Sequence, residues 1–125
     1  MTIHLDSNFL ADAITNGSRE RATLKGWMSE GIALHISSMA WAEFLCGPVP
    51  REVLPDIEAI LGSSLPITAD DAAHAARLFN ATGRRNRSLS DCIIAAIAIR
   101  SGAEIATTDV THFRRFAEFG LRIAE

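Results

Sequence analysis

Ser88–Arg100 reads SLSDCIIAAIAIR, with an unbroken apolar run from Cys92 to Ile99. A surface helix shows an apolar stripe and a polar face. This segment is apolar nearly all round, which predicts a helix through the middle of a domain. It is too short to span a bilayer, which takes roughly 20 apolar residues. Its acid, Asp91, falls in the first turn. With Ser90 as N-cap, Asp91 is the first helical residue, close to the positive end of the helix dipole. The plain reading is that Asp91 complements that dipole. The functional reading is that a carboxylate is held at the mouth of the most buried element of the chain.

Outward from this helix, short apolar runs alternate with helical spacing. Thr2–Leu5, Ala33–Ile36, Leu65–Ile67, Glu104–Ala106 and Leu121–Ala124 read as strands. Helices are expected from Phe9 to Ile14, and from Ser18 to about Gly31 with Ala22, Leu24, Trp27 and Met28 inward. A third, MAWAEFLCG, is capped by Ser37 or Ser38, and a fourth covers Pro50–Leu61 with a break or offset start at Pro55. A fifth runs to Thr82 with Ala72, Ala76 and Phe79 on one side, and a short one covers His112–Glu118. Strands that alternate with helices must be mostly parallel. The expected fold is α/β: a three-layer sandwich with a central sheet of about four to five strands and helices on both faces.

The 125 residues suggest one domain, 1–125, with one core. Hydrophobic residues make up 48% and charged ones 22%, the balance of an ordinary globular protein. The net charge of −3 argues against a protein that coats nucleic acid nonspecifically, but leaves room for a local basic patch. Cys46 and Cys92 match no metal spacing and sit in apolar runs, so both are expected as buried free thiols. A reducing, cytoplasmic setting is the default, with no membrane segment or signal peptide.

In open parallel sheets, ligands bind beyond the carboxyl ends of the strands. Asp6 is expected there on the first strand, and Thr107, Thr108 and Asp109 on the fourth. Glu43 stands among Trp41, Ala42, Phe44 and Leu45, where a charge is costly unless partnered or turned into a cleft. Two like charges about 4 Å apart repel by roughly 4 kcal/mol at an effective dielectric of roughly 20. Acids that share a cleft therefore take up protons or a cation. All-oxygen ligands favour Mg2+ or Mn2+ over Zn2+. Such an ion suits phosphoryl chemistry, because it neutralises charge on the phosphate and lowers the pKa of water. The loop GRRNR carries Arg84, Arg85 and Arg87 beside Asp91, a basic surface that could hold a polyanionic backbone. The plain alternative is a solvated loop without a partner.

LDSNFL, SSMAWAEFLCG, GRRNRSLSDCIIAAIAIRSG and IATTDVTHFRRF, in that order, resemble a PIN domain of the VapC toxin type over nearly the whole chain. The resemblance implies a small parallel α/β sandwich and a metal-dependent ribonuclease. It also implies neutralisation by a cognate antitoxin, and dimerisation. By the same resemblance Asp6, Glu43, Asp91 and Asp109 correspond to the acidic metal-binding set, supported by Asn8 and Thr107. The pattern departs from the family at Thr111, where many members carry a further acid. Some relatives have Asn at the position of Asp109.

The reaction expected is hydrolysis of an RNA phosphodiester, with Asp6, Glu43 and Asp91 anchoring Mg2+ or Mn2+ and Asp109 completing the set. His112 is expected in a structural role, as are His4, His35 and His74. Two other readings stand beside this one. A receiver-like phospho-acceptor domain also gathers acids at strand ends, but wants an acidic pair after the first strand and a Lys after the last. Asp6 has no adjacent acid and the only Lys is Lys25. A catalytically inactive PIN-like module that binds RNA or a partner is the other. Dimerisation draws further on apolar residues around Trp27, Met28, Phe44, Leu54 and Ile57, which alternatively fill the core.

Overall fold

The computed structural model describes residues 1–84 and 88–125. Strands β1 (Thr2–Leu5), β2 (Ala33–His35), β3 (Glu104–Ala106) and β4 (Arg122–Ile123) form a sheet in the order β2-β1-β3-β4. Every pairing among them is parallel. Ile3 lies opposite Leu34 on one side and Glu104 on the other, and Glu104 lies opposite Arg122. Parallel neighbours cannot be joined by a hairpin, so each connection crosses over through helices. Helices α1 (Ser7–Ala13) and α2 (Arg19–Ser29) lead from β1 to β2. Next come α3 (Ser38–Leu45), a 3-10 turn (Arg51–Val53), α4 (Leu54–Leu61), α5 (Ala69–Ala81) and α6 (Leu89–Arg100). After β3, α7 (Val110–Phe113) and a 3-10 helix (Arg114–Phe119) return the chain to β4. This is the expected α/β architecture.

Side chains alternate across β1. Leu5 shares a cavity lining with residues of α1, α2 and α4, whereas His4 feels Arg100 at the end of α6. Helix α6 is the element that the sequence made it: Cys92, Ile94, Ala95, Ala96, Ile97 and Ala98 are all buried. Its alanines keep it slender enough to lie close against α5 and β3. Burying each isoleucine stabilises the fold by about 1.5–3 kcal/mol.

Several expectations are corrected. The N-cap of α6 is Ser88, not Ser90, so Asp91 is the third helical residue and still in the first turn. The Ser88 carbonyl already accepts from the Cys92 amide at 2.9 Å, and in SLS either serine satisfies the capping preference. The strand expected at Leu65–Ile67 shrinks to one parallel bridge between Ser37 and Leu65. Pro66 has no amide to continue a ladder, and Ile67 is exposed. In α2, Ala22 and Met28 are exposed while Leu24 and Trp27 are buried. The inward face of α5 is Asp71, Ala75 and Leu78 rather than Ala72 and Ala76. Cys46 is exposed because α3 ends there, and only Cys92 is a buried thiol. Trp27, Phe44 and Ile57 fill the core and Leu54 is half-buried against it, leaving Met28 as the exposed member of the apolar surplus. The offset start expected at Pro55 is present: a 3-10 turn precedes α4, and Pro55 lies in its first turn. Among the described residues, no helix is long and apolar enough to cross a membrane.

Candidate active site

Asp6 ends β1 and is the N-cap of α1. Its amide donates to the Ala106 carbonyl at 2.8 Å, which fastens the ends of β1 and β3 together. Its side chain is buried and each oxygen accepts one bond: Oδ1 from the Ser7 amide at 2.9 Å, and Oδ2 from Thr107 Oγ1 at 2.9 Å. Thr107 Oγ1 in turn accepts from the Asp109 amide at 3.0 Å. Asn8 Oδ1 accepts from the Thr108 amide at 3.1 Å and lies 3.3 Å from Thr107 Oγ1. Asn8 and Thr107 therefore tie the start of α1 to the loop after β3.

Glu43 stands in α3, half-buried, and reaches this end of the sheet. Ser7 Oγ donates to its Oε1 at 3.4 Å, and the Ser90 hydroxyl at the start of α6 also bonds it. The serine expected to cap α6 is thus a partner of Glu43. Asp91 lies one residue further on, with Oδ2 2.6 Å from His112 Nε2. Asp109 is exposed, just before α7.

The electrostatics place these acids within reach of one another. Burial raises the Asp6 carboxyl above its ordinary value, and the charges of Glu43 and Asp109 push it further, against the bonds from Thr107 and Ser7. Burial likewise raises Glu43, with the charge of Asp91 adding and the serine hydroxyls opposing. Burial raises Asp91 as well; Asp6 and Asp109 add to it, and His112 opposes. Four carboxylates from β1, α3, α6 and the loop after β3 therefore share one field at the carboxyl end of the sheet.

The oxygen-only donor set suits Mg2+ or Mn2+ better than Zn2+. A cation would relieve the strain that burial and mutual charge put on these carboxylates. Among the described residues no three His, Cys, Asp or Glu side chains stand as a ready cage for a metal ion. Asp91 is turned onto His112 instead.

Arg84 engages the end of α5. It adopts a positive φ of 53°, its Nη1 donates to Asn80 Oδ1 at 2.6 Å, and its guanidinium sits 5.7 Å over Phe79. Arg85 and Arg87 lie outside the described residues. Sequence reasoning gave Ser7 no role, read Ser90 only as a helix cap, and read His112 as structural. The available signal was position: Ser7 follows Asp6, Ser90 precedes Asp91, and HFRR follows Asp109 by three residues.

Fold and acids together define a class: a parallel α/β domain that gathers carboxylates from separate elements at the end of its sheet. The family model of the PIN domain matches residues 3–119, and the chain belongs to that family. Membership removes the receiver-domain alternative. No curated protein sequence matches the chain. Among solved structures it is similar to VapBC2 from Rickettsia felis bound to a DNA fragment from their promoter, at 20% identity. That likeness covers 99% of this chain and 98% of the other, with a TM-score of 0.78. It is similar to a toxin–antitoxin complex from Klebsiella pneumoniae, at 24% identity over 89% of each chain, with a TM-score of 0.69. It is also similar to VapC20 of Mycobacterium tuberculosis, a Sarcin-Ricin loop cleaving toxin, at 18% identity over 98% of each chain, with a TM-score of 0.66.

Proposed function

We propose that this chain is a divalent-cation-dependent endoribonuclease and the toxin of a toxin–antitoxin pair. The observation that carries the reading is the shared field of Asp6, Glu43 and Asp91, three carboxyls from three elements, each raised by burial and by a neighbouring acid. Asp6, Glu43 and Asp91 would hold Mg2+ or Mn2+, with Asp109 completing the set. Bound there, the ion would screen phosphate charge and make water more acidic. The chain's own groups do the rest. Thr107 and the Ser7 amide orient Asp6, Ser7 and Ser90 steady Glu43, and Asn8 holds the loop that carries Asp109. Arg84, Arg85 and Arg87 are proposed as contacts to the RNA backbone.

Likeness to toxin–antitoxin complexes supports a cognate antitoxin as partner. The cytoplasm is proposed as the place of action. Pairing of two copies rests on the family resemblance. A second reading, an inactive module that binds RNA without cutting, is favoured by the engagement of Asp91 with His112. One experiment separates the two. Purified chain is incubated with RNA in Mg2+ or Mn2+, with chelator, and as Asp6→Asn. The proposal expects cleavage by wild type with metal, none with chelator, and none by a folded Asp6→Asn. Undiminished cleavage by Asp6→Asn, or none by wild type with either ion, would contradict it.

A further inference from the structure

We propose that His112 is a positioning residue for Asp91: its ring holds one carboxylate oxygen so that the other is offered to the divalent cation. This rests on the metal-site reading above and deepens it. His112 Nε2 lies 2.6 Å from Asp91 Oδ2, a close hydrogen-bonding contact with a charged acceptor. The two residues come from different elements, α7 and the first turn of α6. Both side chains keep about a fifth of their surface open, 23% and 22%, so Asp91 could be solvated by water without the ring.

The ring is itself braced. Arg115 Nε donates to the His112 carbonyl at 3.0 Å. The ring stands edge-on to Phe113 and Phe116, both fully buried, and the Arg115 guanidinium lies 5.2 Å over Phe116. Arg115 Nη2 also comes within 3.0 Å of His112 Nε2. A guanidinium can only donate, and a ring nitrogen that donates to a carboxylate cannot accept at the same time. The shorter contact assigns the Nε2 proton to Asp91. Arg115 is then a neighbouring positive charge, with a buried Nη1 that has no hydrogen-bond partner among the described residues. Its place is explained by bracing the His112 turn and by the negative charge beside it.

A carboxylate that gives one oxygen to a neighbouring donor is fixed in direction. Loss of such a partner typically weakens metal binding about 10–100-fold. The test uses the full chain at fixed pH. Mn2+ binding is followed by the spectroscopic signal of the free ion, for wild type, His112→Leu, His112→Gln and Asp91→Asn. The metal-free melting temperature of each is recorded alongside. His112→Leu keeps apolar volume against the two phenylalanines and removes the donor. His112→Gln restores a donor of similar reach.

The inference expects His112→Leu to weaken Mn2+ binding about tenfold or more. It expects His112→Gln to recover most of that loss, with the metal-free melting temperatures close together. Three results overturn it: His112→Leu binding as tightly as wild type, His112→Gln failing to recover, or affinity losses that merely follow losses in melting temperature. Wild-type binding abolished by Asp91→Asn, with His112→Leu unaffected, overturns this inference and leaves the metal-site reading standing. Absence of Mn2+ binding by wild type overturns both.

Discussion

Thr107 Oγ1 donates to Asp6 Oδ2 at 2.9 Å across 101 residues of sequence, and the same oxygen accepts from the Asp109 amide. One hydroxyl thus couples two of the acids to the junction between β1 and β3. A hydrogen bond to a charged group is worth about 1.5–3 kcal/mol. Thr107→Val keeps the side chain's shape and removes that bond. RNA cleavage should fall about 10–100-fold, as the same energies convert. Thr107→Ser should retain most of it. Comparable cleavage rates for Val and wild type would show that this hydroxyl does not orient Asp6.

His4 gives the fold an acid-sensitive side. It is buried on β1 and neither ring nitrogen has a partner among the described residues. Burial, with the charges of His35 and Arg100, pushes its pKa down from 6.5 to about 4. The ring is therefore neutral in the folded chain and charges first in the unfolded one. Its stabilising contribution is complete above pH 6.5 and is lost as pH falls from there to about 4. The loss amounts to about 3 kcal/mol. The raised acids act in the opposite sense, since protonating them relieves their repulsion in the folded state. Urea unfolding at pH 7 and pH 5 checks this: His4→Leu should flatten the difference, and an unchanged pH slope would assign it elsewhere.

Asp71 joins α5 to α6. Its Oδ1 accepts from Arg100 Nε at 2.8 Å, and its Oδ2 accepts from the Thr68 amide at 3.0 Å in a capping box. Burial works against its charge, but the Arg100 and Thr68 bonds outweigh it and hold the carboxyl below its ordinary value. Its stabilising effect is thus present above the ordinary carboxylate pKa and lost as acid protonates it. Asp71→Ala removes the acceptor of the Thr68 amide and the ion pair together, leaves the Thr68 hydroxyl cap in place, and should cost about 2–4 kcal/mol. Arg100→Ala should cost less, because Arg100 is 41% exposed and the capping box survives. Equal losses in the two variants, measured by chemical denaturation, would contradict this division.

The parallel layout was legible because its signals are local. Apolar runs of strand length ended at acids or turn residues, and no tight turn joined two of them. Helix α6 was legible because an unbroken apolar run has one economical burial. What failed depended on partners far away in sequence. The inward face of α5 turns on the buried Asp71, which its own helix marks as polar; Arg100, 29 residues on, supplies the counter-charge that lets it lie inside. The strand at Leu65–Ile67 has the right composition, but Pro66 ends the ladder. For the site, the acids stood out by type, whereas His112, Ser7 and Ser90 stood out only by lying close to an acid in sequence, and their roles come from contacts between elements.

Glu43, Asp6 and Asp91 are proposed to repel one another in the folded chain, and a divalent ion to relieve this. Thermal melting of Glu43→Gln against wild type, with and without Mg2+ or Mn2+, reads both the repulsion and its relief. An ion at 100 times its dissociation constant stabilises a folded protein by about 2.7 kcal/mol. Wild type should therefore melt several degrees higher with the ion. Glu43→Gln should melt higher than wild type without it and gain little when it is added. If Glu43→Gln melts no higher than metal-free wild type and still gains the full shift from the ion, the acids do not form a shared cation site.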